Sequence, residues 1–158
     1  MFNVKREEKD GTLILRLAGE INEAVDFEKM FGATTPDTIL NCKEISRINS
    51  VGVKAWVSFF QTRVLEGTQL TFVECSPAIV EQLNLIMNFA CGGKVESIYV
   101  PFACTVKGCK KALVGLFTVE ALRRSKFALP AVKCTKCGGE AVFDDLPEEY
   151  FRFASRPF

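Results

Sequence analysis

The apolar and polar positions of the chain fall into short apolar runs and longer helical stripes, in alternation. Residues 2–8 read as an edge strand, and Thr12-Leu13-Ile14-Leu15-Arg16-Leu17 as a clearer strand that ends at Ala18-Gly19. Within residues 23–31, Ala24, Phe27, Met30 and Phe31 recur at helical spacing, and Gly32 is a natural C-cap. Thr38-Ile39-Leu40-Asn41-Cys42 predicts a short buried strand. A longer helix follows over roughly residues 52–65, where Val53, Trp56, Phe60 and Val64 form a stripe flanked by Val57 and Phe59. Gln69-Leu70-Thr71-Phe72-Val73-Glu74 is the next strand. Ser76 as N-cap with Pro77 at the first helical position opens another helix, with Ile79, Val80, Leu83, Ile86 and Met87 as its apolar face and Cys91-Gly92-Gly93 as its end. A strand over 95–100 is halted by Pro101.

This order, β-β-α-β-α-β-α-β, implies an α/β fold with a mostly parallel sheet covered by helices. The pattern changes near Pro101–Cys104, where a new cysteine spacing begins. The expected organisation is therefore a first unit over residues 1–102 and a second, smaller one over 103–158. The second carries a helix signal at Thr118–Arg124, a turn at Pro130, and a stretch from Asp144 to Phe153 that reads as a short helix capped by Asp145. Its Tyr150, Phe151 and Phe153 are expected to pack rather than to project as a docking peptide.

Three segments of the first unit resemble the STAS domains of bacterial anti-sigma-factor antagonists. Leu17-Ala18-Gly19-Glu20-Ile21-Asn22 is similar to the family's strand-ending Gly-Glu-(Ile/Leu)-Asp. Ile48-Asn49-Ser50-Val51-Gly52 is similar to its (Ile/Met)-Asp-Ser-(Ser/Thr)-Gly, and Cys75-Ser76-Pro77-Ala78-Ile79-Val80 to its Ser-Pro-Ala-Val stretch. The resemblance covers roughly residues 1–102 and implies a STAS-like mixed sheet. It also implies a regulatory role by partner switching, in which an anti-sigma factor, often itself a kinase, docks on the domain and is released when a serine is phosphorylated. Carried over by position, that phosphoacceptor is Ser50. The docking surface is Asn22, Asn49, Ser50, Val51, Gly52 and Lys54. Asn22 and Asn49 stand where the family has aspartates, and Val51 where it has a second hydroxyl. Ser50 is open to a second reading as the plain cap of the helix that starts near Gly52.

The second unit carries the most specific chemistry. Cys104 and Cys109 are separated by four residues, Cys134 and Cys137 by two, and 24 residues lie between the pairs. Two tight turns that each offer two thiolates meet the tetrahedral demand of zinc. Gly138 and Gly139 after the last cysteine permit the backbone of a knuckle turn, and Gly108 stands ready to do the same before Cys109. The expectation is one structural Zn²⁺ in a zinc-ribbon-like module, because a unit of this size needs a staple. Four thiolates leave no open position for catalysis. Cys42, Cys75 and Cys91 lie in apolar surroundings and read as core residues.

Composition trims the alternatives. The chain has 158 residues with 48% apolar and 25% charged residues, the balance of a globular protein, and no apolar run approaches the roughly 18–20 residues needed to cross a bilayer. The charged N-terminus shows no secretory signal, so a cytoplasmic, non-inserted protein is expected. It contains no histidine, which removes histidine-based triads and metal ligands, and no enzyme activity is expected. Residues 103–158 hold 10 Lys/Arg against 6 Asp/Glu. Lys107, Lys110, Lys111, Arg123, Arg124, Lys126, Lys133 and Lys136 make nucleic acid the second, less favoured partner class. An accessory role in a membrane transport complex is a third reading, and the chain leaves room for a homodimer.

Overall fold

The computed structural model describes residues 1–155; the last three residues of the expected second unit lie outside them. It is a mixed α/β structure with two sheets. Strand β1 (Asn3–Lys9) turns through Asp10 and Gly11, both at positive φ, into β2 (Thr12–Ile21). That two-residue turn has the backbone twist a tight antiparallel hairpin requires. Next come α1 (Phe27–Phe31), β3 (Asp37–Ile48), α2 (Ser50–Leu65), β4 (Gln69–Val73), α3 (Pro77–Leu85) and β5 (Lys94–Val95). Strands β2 to β5 pair in parallel and in chain order, so the first sheet reads β1-β2-β3-β4-β5.

Beyond it lie β6 (Ser97–Cys104), β7 (Ala112–Thr118), α4 (Val119–Arg124), β8 (Val132–Lys133), β9 (Glu140–Phe143), α5 (Pro147–Tyr150) and α6 (Arg152–Ser155). The second sheet is antiparallel in the order β7-β6-β9-β8. One residue separates β5 from β6, and the amides of Cys75 and Tyr99 bond across the seam to Ser97 and Cys75 carbonyls. Because β6 continues unbroken to Cys104, the division expected between residues 102 and 103 falls inside a strand. The buried side chains of both sheets form one continuous cluster, from Leu13 and Trp56 through Val100 and Phe102 to Phe151.

The densest part of that cluster is aromatic. Trp56 stacks on Phe89 at 5.1 Å between ring centres and 7° between planes, and its indole N–H donates to the Phe89 carbonyl at 3.1 Å. A buried tryptophan thus keeps a partner for its one polar atom. Phe27 and Phe60 meet it edge-on, and Phe31 and Phe59 extend the cluster through edge-on contacts Phe31–Phe59 and Phe59–Phe60. Arg63 closes the rim: its guanidinium lies 4.6 Å over Phe59 and donates to Glu28 at 2.7 Å, tying α2 to α1.

Several elements differ from their expected bounds. The first helix begins only at Phe27, because Asp26 accepts the Lys29 amide and caps it there; Ala24 and Met30 are exposed. The third strand runs on to Ile48. Helix α3 ends at Leu85; of the apolar residues after it, Ile86 packs partly and Phe89 and Cys91 are buried from turns, whereas Met87, expected on the helix's apolar face, is exposed because the helix has already ended. The final stretch is two short helical turns; Leu146, not Asp145, holds the N-cap position, with no side-chain cap, and Asp145 accepts the adjacent Leu146 amide instead. Its aromatic residues do pack. Phe151 stacks between Phe127 and Phe143, while Asn84 of α3 donates to the Tyr150 carbonyl and accepts from the Phe153 amide, both at 2.9 Å.

Candidate metal centre and docking loop

The two cysteine pairs, 24 residues apart in the chain, converge because β6 and β9 are neighbours. Cys104 is the last residue of β6, and the turn 105–111 leads from it into β7. The second pair sits in the turn between β8 and β9. Antiparallel pairing of Cys104 with Ala141, and the Thr105 amide bonded to the Glu140 carbonyl at 2.9 Å, bring the two turns face to face.

All four Sγ atoms lie within 4.8 Å of one another. Cys104 to Cys137 is 3.5 Å and Cys109 to Cys134 is 3.7 Å. A disulfide needs about 2.05 Å, so none is formed here. Four sulfurs placed tetrahedrally at about 2.3 Å from one ion would be about 3.8 Å apart. The cluster therefore can hold a single metal ion.

Backbone amides complete the shell. The N–H groups of Val106, Lys136 and Gly139 each point at a cysteine sulfur, at 3.4 Å from Cys104, Cys134 and Cys137 respectively. Each of these three sulfurs is contacted from two residues further along the chain, which is what a tight turn beginning at the cysteine provides. Such donors stabilise thiolate over thiol. The Cys137 and Lys136 amides hold Cys134 down at about 6. At Cys104 the Val106 amide pulls the same way, but burial and the three neighbouring thiols together push it up to about 12. Packed sulfurs cannot all carry charge unaided, and a bound cation removes that conflict. Gly138 takes a positive φ of 75° in the turn, and a side chain on Gly139 would fall 2.2 Å from Val106. Both glycines after Cys137 are thus required, for different reasons.

In comparisons with known proteins, no family model matches the chain, and no curated protein resembles it significantly.

The other candidate site lies at the far end of the first sheet. Asn49, and not Ser50, caps α2: its Oδ1 accepts the Gly52 amide at 2.8 Å, while its Nδ2 donates to Glu23 at 2.9 Å. Ser50 is the first helical residue and is exposed. The cap reading of Ser50 is therefore corrected, since its neighbour performs that task. Gly52 is buried with the Ile21 carbonyl 2.6 Å from where a Cβ would be, so its role is to let the two loops meet. Asn22 turns its side chain on its own loop, accepting the Ala24 amide at 2.9 Å. Val51 (52% exposed) and Lys54 complete the outward surface.

Glu23 is a member of this loop that its sequence context did not single out. Its own backbone amide and Asn49 both hold its carboxyl below the usual range, so it is a fixed negative charge beside Ser50. Cys42, Cys75 and Cys91 are buried in the core as expected. Contact with Cys75 and burial push the Cys42 thiol well up, and burial pushes Cys91 up to about 11, so neither is a nucleophile. The basic residues 107, 110, 111, 133 and 136 are exposed around the metal turns, and Arg123, Arg124 and Lys126 lie on and after α4. No helix among the described residues is long and apolar enough to cross a membrane.

Proposed function

We propose that the chain is a non-enzymatic, STAS-like regulatory module that docks a signalling protein, an anti-sigma factor or related kinase, through the loops around Ser50. The observation that carries this reading is the division of labour at α2. Asn49 caps the helix, which leaves the exposed Ser50 hydroxyl without any structural task. A phosphate there sits at a helix N-terminus, where unpaired amides and the helix dipole favour negative charge, and Lys54 follows four residues on, one turn along the same face. The fold therefore tolerates the modification. The docking surface does not, because a near-dianionic group arrives beside the Glu23 carboxylate and next to the apolar Val51. Capture of partners by the full chain tests this. Ser50→Asp is expected to weaken capture of a specific partner at least tenfold while leaving the melting temperature unchanged. Equal capture by both proteins contradicts a phosphate-gated surface.

The metal is read as one structural Zn²⁺. Four soft thiolates with no oxygen ligand disfavour Mg²⁺ and Ca²⁺, and a complete protein shell leaves no position for substrate. The ion would fix the turns 104–109 and 134–137 to each other and so hold the second sheet in shape.

A further inference from the structure

Strand β5 is an edge of the first sheet, and its open side faces a cavity. Lys94 and Val95 lie opposite Thr71 and Phe72 of β4, and the Glu96 amide donates to the Phe72 carbonyl at 2.9 Å. In a parallel ladder, the residue between two bonded neighbours turns its own N–H and C=O the other way. The main chain of Val95 therefore points away from β4. Val95 is half-buried, and neither group has a hydrogen-bond partner among the described residues. A sheltered amide and carbonyl without partners are the exception in folded chains and call for a bound group.

The cavity has a volume of about 810 Å³, a size that holds a drug-sized ligand. Its wall is apolar: Leu83, Ile86 and Ala90 come from α3 and the turn after it, Val119 from α4 and Phe153 from α6. Met87, 87% exposed, stands at the lip, where a flexible thioether adapts to an apolar side chain. The rim is charged. Lys94, Arg123 and Arg124 stand there against Glu96 and Glu120, an excess of one positive charge. Arg123 Nε donates to the Ala154 carbonyl at 3.0 Å, and no ion pair joins the other four among the described residues. None of these residues belongs to the loops around Ser50.

We infer that the cavity binds the carboxyl end of a short apolar peptide, which pairs with Val95 as one more strand on the first sheet. One peptide residue offers an acceptor and a donor to the Val95 amide and carbonyl. Its side chain packs on the apolar wall, and the free carboxylate meets the positive rim at Lys94 and Arg124. Each observation selects one part of this ligand. The strand edge asks for a main chain, the wall for an apolar side chain, and the charge excess for an acid rather than an amine.

Calorimetric titration of the full chain with acetyl-Leu-Val-Leu tests this, against the same peptide with its carboxyl group amidated. The acid is expected to bind about tenfold tighter than the amide, as for one charge-assisted bond. Lys94→Glu with Arg124→Glu, both at exposed positions, is expected to weaken binding of the acid by at least that factor with the melting temperature unchanged, and Glu120→Gln to strengthen it. Slowed hydrogen exchange at the Val95 amide in the complex is expected to place the peptide on β5. No saturable binding at millimolar peptide, equal binding of acid and amide, indifference to the rim reversals, or a Val95 amide that exchanges as fast with peptide as without it overturns the proposal.

Discussion

The five-stranded sheet and the four-stranded sheet share a seam and a core, yet different forces hold them. In the first, ten- and twelve-residue strands lie under helices, and aromatic rings fill the space between. Burial of that area alone stabilises it strongly, at about 25 cal/mol per Å² of apolar surface. In the second, β8 and β9 span two and four residues, and the outer face of the sheet carries exposed Val114, Leu116 and Val142. Short strands with one covered face gain little from packing. The four sulfurs at the tip of β6 lie close enough to hold one ion, and coordination there would replace area. On that reading, a small sheet grafted onto a large one is secured at both of its ends: by β6 emerging from the seam, and by the cysteine turns at the far tip.

This contrast can be broken from either side. The largest effect is expected at the metal. Structural zinc contributes on the order of 10 kcal/mol in small zinc modules, so Cys134→Ser is expected to abolish hydrogen-exchange protection at residues 104–111 and 132–141 while β2, β3 and β4 stay protected. Unchanged protection in those turns would mean that packing alone holds the second sheet. Next is the aromatic centre. Trp56→Ala is expected to cost about 3–5 kcal/mol in urea unfolding, from the lost ring and the cavity it leaves. Because the core is continuous, this change lowers the stability of both sheets together. A loss confined to the first sheet would show that the two unfold independently.

Much of this was legible in the residues. The large helix and the first four strands of the first sheet follow from apolar spacing, and the cysteine cluster from cysteine spacing with its glycines; the strand expected over 95–100 is instead split between β5 and β6, and β6 runs through Pro101 into the second sheet. The second sheet was not legible for physical reasons. Strand β7 is an unbroken apolar run whose sheet periodicity is hidden, because its outward positions are as apolar as its inward ones. Strands β8 and β9 are too short for any period to show. The early end of α3 was hidden because Ile86, Phe89 and Cys91 keep a helical rhythm while packing from turns. At the start of α2, Asn49 and Ser50 are both strong capping types, and only the geometry separates them.

The central claim is a thiolate-bound zinc ion that fastens the second sheet to itself. Elemental analysis of the freshly purified chain tests it most directly. About one zinc per chain, lost together with the order of residues 104–141 when a strong chelator is added, is the predicted result. A chain that carries no zinc and keeps that region ordered would contradict the account.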